Sequence, residues 1–217
     1  MSADGTPVPA RAMGVHVTNE PEGLSHIHKP GCAATVWKRT PLPVFQSWID
    51  ALSPEHLPKA RLILRPEYVR DALTKLTCTC GTPDCAEQSM LVDDAAALSM
   101  IFAKITRAPF LRLRLDLATG ATGDDFEIDE VKARLVCAYR GPELNLRASP
   151  DEAVSDRVVR VPTGAPIVLR GGLWPDPRDA GQSHQPVPIK SAGEDRFTLV
   201  LDPVVDPEPV SDSTFIH

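Results

Sequence analysis

Residues 110–117 read Phe-Leu-Arg-Leu-Arg-Leu-Asp-Leu, so that Leu111, Leu113, Leu115 and Leu117 alternate strictly with Arg112, Arg114 and Asp116. Successive side chains of a strand point to opposite faces, and a period of two therefore predicts a strand with one apolar and one charged face. Further strands are predicted at Val131–Tyr139, Arg157–Val161, Pro166–Arg170 and Phe197–Leu201, separated by the turn signals GDD, RGP, PTGAP, GG and AGQ. Short strands at this spacing point to a small barrel or sandwich. The 22 prolines act in the same direction, because at about twice the usual share of about 5% they limit long helices.

The first half follows a different period. Phe45, Trp48, Ile49 and Leu52 recur at helical spacing behind Pro43, and a short helix is also predicted over Pro66–Leu76. The best helical pattern covers Leu91–Ile105, where Leu91, Ala95, Leu98, Phe102 and Ile105 share one face. Ala33–Trp37 reads as a strand. Four regions follow: a flexible N-terminal segment over 1–22, a mainly helical part with a Cys-rich loop over 23–109, a β-barrel over 110–203, and a Pro- and acid-rich tail over 204–217.

Net charge narrows the choice of partners. With 23 Lys and Arg against 29 Asp and Glu, the chain carries −6, which leaves no overall basic field to attract nucleic acid. No apolar run approaches the roughly 20 residues that cross a bilayer, and the start is polar, so neither a membrane nor an export signal is indicated and the cytoplasm is the expected location. Five cysteines without such a signal read as thiols or metal ligands rather than a disulfide framework. Signatures of phosphate loops, dinucleotide folds, α/β-hydrolases and HExxH zinc proteases are absent from the sequence.

Two constellations could carry chemistry. Glu127 and Asp129 stand two apart before the Val131 strand and would share a face, and His184, from a distant segment, could join them in a facial metal site. The bland alternative is a solvated strand edge. Cys78, Cys80 and Cys85 fall around a Gly-Thr-Pro turn, a geometry in which thiolates wrap Zn. The spacing C-x-C-x4-C is not a standard knuckle; Cys32, His26 or His28 could supply a fourth ligand, or water could leave the site open. Structural or redox-reactive thiols remain the alternative. Cys137 reads as a buried small hydrophobe, and Trp37, Trp48 and Trp174 as packing residues.

The blocks HKPGCAATVWKR, LRLRLDL, FEIDEVKARLVCAYRGP, VLRGGLWP, HQPVPI and GEDRFTLVLD, in this order, resemble the bacterial domain of unknown function 1826 family over roughly residues 24–203. That family is similar to cupin-like and 2-oxoglutarate/iron oxygenase barrels with an H-x-D pair and a second His. The resemblance implies an α+β fold, a mainly helical N-terminal part packed on a C-terminal double-stranded β-helix of the cupin-like jelly-roll kind. Asp129 and His184 match the pattern, whereas Glu127 stands where it has the first His, and Glu143-Leu144-Asn145-Leu146 replaces its G-T-x-W-like run. Arg196, twelve residues after His184, falls where such oxygenases place an Arg that grips a carboxylate co-substrate. Its alternative is a surface pair with Glu194 or Asp195.

Three readings follow. The first ranked is a metal-binding protein without catalysis, handling zinc or iron, with Zn or Fe(II) as its ion. The second is a non-haem, 2-oxoglutarate-type oxygenase acting on a small molecule or peptide. The third is an inactive barrel that serves a protein partner. The replacement of an imidazole by Glu127 weighs against the oxygenase.

Overall fold

A computed structural model describes residues 14–118, 130–147, 158–175, 189–190 and 195–206. Along the chain these form β1 (Gly14–Thr18), β2 (Cys32–Trp37), α1 (Pro43–Ala51), β3 (Ala60–Leu64), α2 (Val69–Thr79), α3 (Ala86–Thr106), β4 (Phe110–Ala118), β5 (Ala133–Arg140), β6 (Leu144–Arg147), β7 (Val158–Val161), β8 (Ile167–Arg170), β9 (Ile189–Lys190) and β10 (Arg196–Val204). The fold mixes helix and sheet around one large sheet. No described helix is long and apolar enough to cross a membrane.

The large sheet has seven strands in the order β1-β2-β8-β5-β10-β4-β3, and a smaller one has the order β7-β6-β9. Strand periodicity divides the large sheet into two faces. Leu111, Leu113, Leu115 and Leu117 of β4, Leu135, Cys137 and Tyr139 of β5, and Phe197, Leu199 and Leu201 of β10 share a core with Phe45 and Ile49 of α1, Leu73 of α2, and Leu91, Leu98 and Phe102 of α3. On the opposite face Ala34, Val36, Val136, Ala138, Ile167 and Leu169 pack against Leu144, Leu146 and Val161 of the small sheet. The three helices thus cover one face and the small sheet covers part of the other.

Prolines set several boundaries. Pro43 stands at the first turn of α1, where its missing N–H is unneeded. Pro66 opens a single 3-10 turn that leads into α2. At the far end of α3, Arg107 adopts φ 55° and its N–H bonds Ala103 O, which stops the helix.

The structure departs from the four-region reading at its N-terminal side. Gly14–Thr18, placed within a flexible lead-in, is instead a strand parallel to β2. Ala60–Leu64, given no element by the sequence, forms the far edge of the large sheet against β4. The sheet therefore takes strands from both sides of residue 110.

Candidate functional site

The face between the sheets carries charge where its opposite carries leucine. Asp202 of β10 and Arg134 of β5 are buried on this face, and Arg134 donates from Nε to Asp202 Oδ1 at 2.6 Å and from Nη2 to Oδ2 at 2.9 Å. Two parallel N–H···O bonds satisfy a buried carboxylate well, which is the condition under which buried charge is tolerated. Arg114 of β4 reaches the same carboxylate at 3.7 Å. Burial, and then the neighbouring charge of Arg134, pull the Arg114 guanidinium below its usual range.

Arg196 opens β10 on this face and is only 4% exposed. Its Nη2 donates to Pro142 O at 3.0 Å, which ties the start of β10 to the corner between β5 and β6. The corner comes that close because Gly141 has φ 104° and no side chain; a Cβ there would lie 2.7 Å from Asp195 O. Thr198, two residues further along β10, is also buried.

Glu127, Asp129 and His184 lie outside the described residues. The chain that follows Asp129 is described from Glu130 onward: Gly171 donates its N–H to Lys132 O at 3.0 Å and Leu173 to Val131 O at 3.1 Å. Arg196 sits at the other end of β5, since Ala133 pairs with Arg170 whereas Arg140 pairs with Phe197.

The three loop cysteines are spread over two helix ends. Cys78 is exposed in the last turn of α2, Cys80 follows as its C-cap, and Cys85 precedes the first turn of α3. The Cys80 Sγ lies 3.1 Å from Thr82 Oγ1, and Thr82 in turn donates to His56 O at 2.7 Å. Among the described residues no group of three or more His, Cys, Asp or Glu side chains is placed to hold a metal ion. The residues considered as a fourth ligand are engaged elsewhere. Buried Cys32 donates to Ala34 O at 3.3 Å, His26 Nδ1 meets His16 Nε2 at 2.5 Å, and His28 Nε2 bonds Ile105 O at 3.0 Å.

A polar cluster on the helix side was not legible in the sequence. Arg39, just after β2, donates from Nη1 and Nη2 to the two oxygens of Asp94 on α3 at 2.6 and 2.7 Å, and from Nε to Gly164 O at 2.6 Å. Tyr139 donates its hydroxyl to Asp94 Oδ2 at 2.8 Å. Burial and the Asp94 charge push the Tyr139 hydroxyl well up, and push the Cys137 thiol up to about 12. Burial alone would lower Arg39, but its hydrogen bonds to Asp94 reverse the direction and keep it charged. A cavity of about 440 Å³ opens beside the cluster, walled by Pro41, Leu42, Phe45 and Met90.

With this geometry in view, comparison with known proteins assigns the family. The model described as protein of unknown function (DUF1826) matches residues 18–202. The chain belongs to the DUF1826 family. No curated protein matches it.

Among solved structures, this DUF1826 chain is similar to the dioxygenase for auxin oxidation from rice at 10% identity, over 88% of this chain and 82% of that one, with a TM-score of 0.46. It is similar to the dioxygenase for auxin oxidation 1 from Arabidopsis thaliana, in its 2-oxoglutarate complex, at 8% identity over 88% and 92%, with a TM-score of 0.44. A prolyl-4-hydroxylase from Pseudomonas putida matches at 12% identity over 77% and 97%, with a TM-score of 0.36.

Proposed function

We propose that this DUF1826 protein binds a divalent cation through Glu127, Asp129 and His184, and a small carboxylate through Arg196, between the two sheets of a double-stranded β-helix. Strand order is the observation that carries the reading. Of the strands from residue 110 onward, β8, β5, β10 and β4 lie side by side in the large sheet, and β7, β6 and β9 form the small one. Alternation of the chain between two sheets supports a jelly-roll reading, whose interior is the inter-sheet face. His184 precedes β9 in the chain, and Arg196 opens β10 with its side chain buried.

Two carboxylates and one imidazole make a harder donor set than the two-His, one-carboxylate triad of non-haem iron oxygenases. They suit Mn(II) or Fe(II) bound without a requirement for oxygen activation. A cation held there would supply Lewis-acid polarisation of a ligand oxygen. Arg196 contributes a rigid fork that orients one carboxylate group at the opposite end of β5.

Calorimetric titration of the metal-stripped chain with Mn(II), Fe(II) under argon, and Zn(II) tests the assignment. One site per chain is expected, weakened by at least about tenfold in His184→Ala and Asp129→Asn and unchanged in Cys80→Ser. Binding that survives His184→Ala, or that disappears in Cys80→Ser, contradicts it. Oxygen uptake with 2-oxoglutarate by the native chain would move the assignment from a binding protein to an oxygenase.

A further inference from the structure

Among the described residues, the charged face of β3 and β4 carries an excess of positive charge. Arg61 of the edge strand β3 is the direct cross-strand partner of Arg114, and Arg112 lies two residues from Arg114 on the same face. Directly opposed side chains on antiparallel strands have their Cβ atoms about 5 Å apart, a separation at which like charges destabilise the pair. Residues two apart along a strand stand about 7 Å apart. Three guanidinium groups therefore crowd one small patch of a chain whose net charge is −6.

Among the described residues the carboxylates do not balance them, although Asp202 lies directly across from Arg112. Asp202 is committed to Arg134 by two short hydrogen bonds and lies 3.7 Å from Arg114. Asp116 lies 3.6 Å from Arg61, but both side chains are more than half exposed, so the pair is weak. The buried Nε of Arg114 has no hydrogen-bond partner among the described residues. Leaving such a donor unsatisfied away from water is costly. The described side chains of the small sheet pack on β2, β8 and β5 rather than on this patch.

We propose that Arg61, Arg112 and Arg114 form a binding site for a small oxyanion, a carboxylate or phosphate group, which bridges the opposed guanidinium groups and accepts the idle Arg114 donor. Planar N–H forks suit both anions, and a bridging anion turns a repulsive pair into two attractive ones. The patch consists of described residues alone, is separate from Arg196, and does not depend on the metal reading.

The test is thermal unfolding of the full chain in EDTA at pH 7, at constant ionic strength set with NaCl, with increasing inorganic phosphate in one arm and succinate in the other. A saturable rise in Tm is expected with at least one anion, because a ligand that binds only the folded state stabilises it by mass action. Saturation by phosphate alone assigns phosphate compounds, by succinate alone carboxylates, and by both the shared oxyanion chemistry. With Arg196→Lys as the common background, so that the small-carboxylate site proposed above does not report in the succinate arm, Arg61→Ala and Arg112→Ala are expected to weaken the anion by at least about tenfold. Without anion at low salt, Arg61→Ala should be no less stable than the native chain, since it removes repulsion. The proposal is overturned if neither anion gives a saturable rise, if the rise persists in both alanine variants, or if Arg61→Ala destabilises the anion-free protein.

Discussion

The two faces of β4 and β10 follow the same backbone and obey opposite rules. Toward the helices, Leu111, Leu113, Leu115, Phe197, Leu199 and Leu201 are buried among apolar neighbours, and any residue of similar size and greasiness would serve. Toward the small sheet, Arg114, Arg196 and Asp202 occupy alternate positions of the same strands. There each buried charge needs a particular partner at a particular distance. A face that accepts such constraints at the cost of easy packing is where the proposed ligand chemistry falls; the leucine face of β4 and β10 holds the fold.

Removal of Asp202 should break this contrast most strongly. Asp202→Ala leaves the buried Arg134 guanidinium without its carboxylate and is expected to cost about 3–5 kcal/mol in urea unfolding. Replacing Asp202 and Arg134 together by Leu should recover most of that loss, because the uncompensated charge is gone. Leu199→Ala on the other face is expected to cost about 2–5 kcal/mol, with no such rescue by a second substitution. Equal additivity on both faces would erase the distinction.

A smaller effect sharpens the helix-side half of the comparison. Cys137 is buried with its thiol pushed up to about 12 from an ordinary 9.0. The unfolded thiol ionises near pH 9 while the folded one keeps its proton, so the stabilisation is whole below pH 9 and is lost as pH rises toward 12. Between pH 9 and 10 the slope should approach about 1.4 kcal/mol per pH unit. Unfolding measured across this range should show a shallower slope in Cys137→Ala, with Tyr139 contributing only at higher pH.

Elements with a clear period were legible before the structure. The alternation of residues 110–117 became β4, and the helical pattern behind Pro43 became α1. The pattern over Leu91–Ile105 became α3, which starts one turn earlier because Cys85 is already extended at its N-cap. Short edge strands were not legible. In β3 Arg61, Leu62 and Ile63 are all exposed, so no alternation marks it, and β1 has only five half-exposed residues. The polar networks were hidden for another reason. Arg39 and Asp94 are 55 residues apart, and Arg134 and Asp202 are 68 apart, so only the folded sheet brings either pair together.

Paramagnetic broadening of backbone amide NMR signals by Mn(II) locates the bound ion most directly. In the metal-stripped, isotope-labelled chain the account predicts broadening centred on Glu130–Lys132, which follow the proposed ligand Asp129 in the chain, and on Gly171–Leu173, which hydrogen-bond to that stretch, and its loss in His184→Ala. Broadening centred on Cys78–Cys85, or spread evenly over the acidic surface, would contradict a cation held between the sheets.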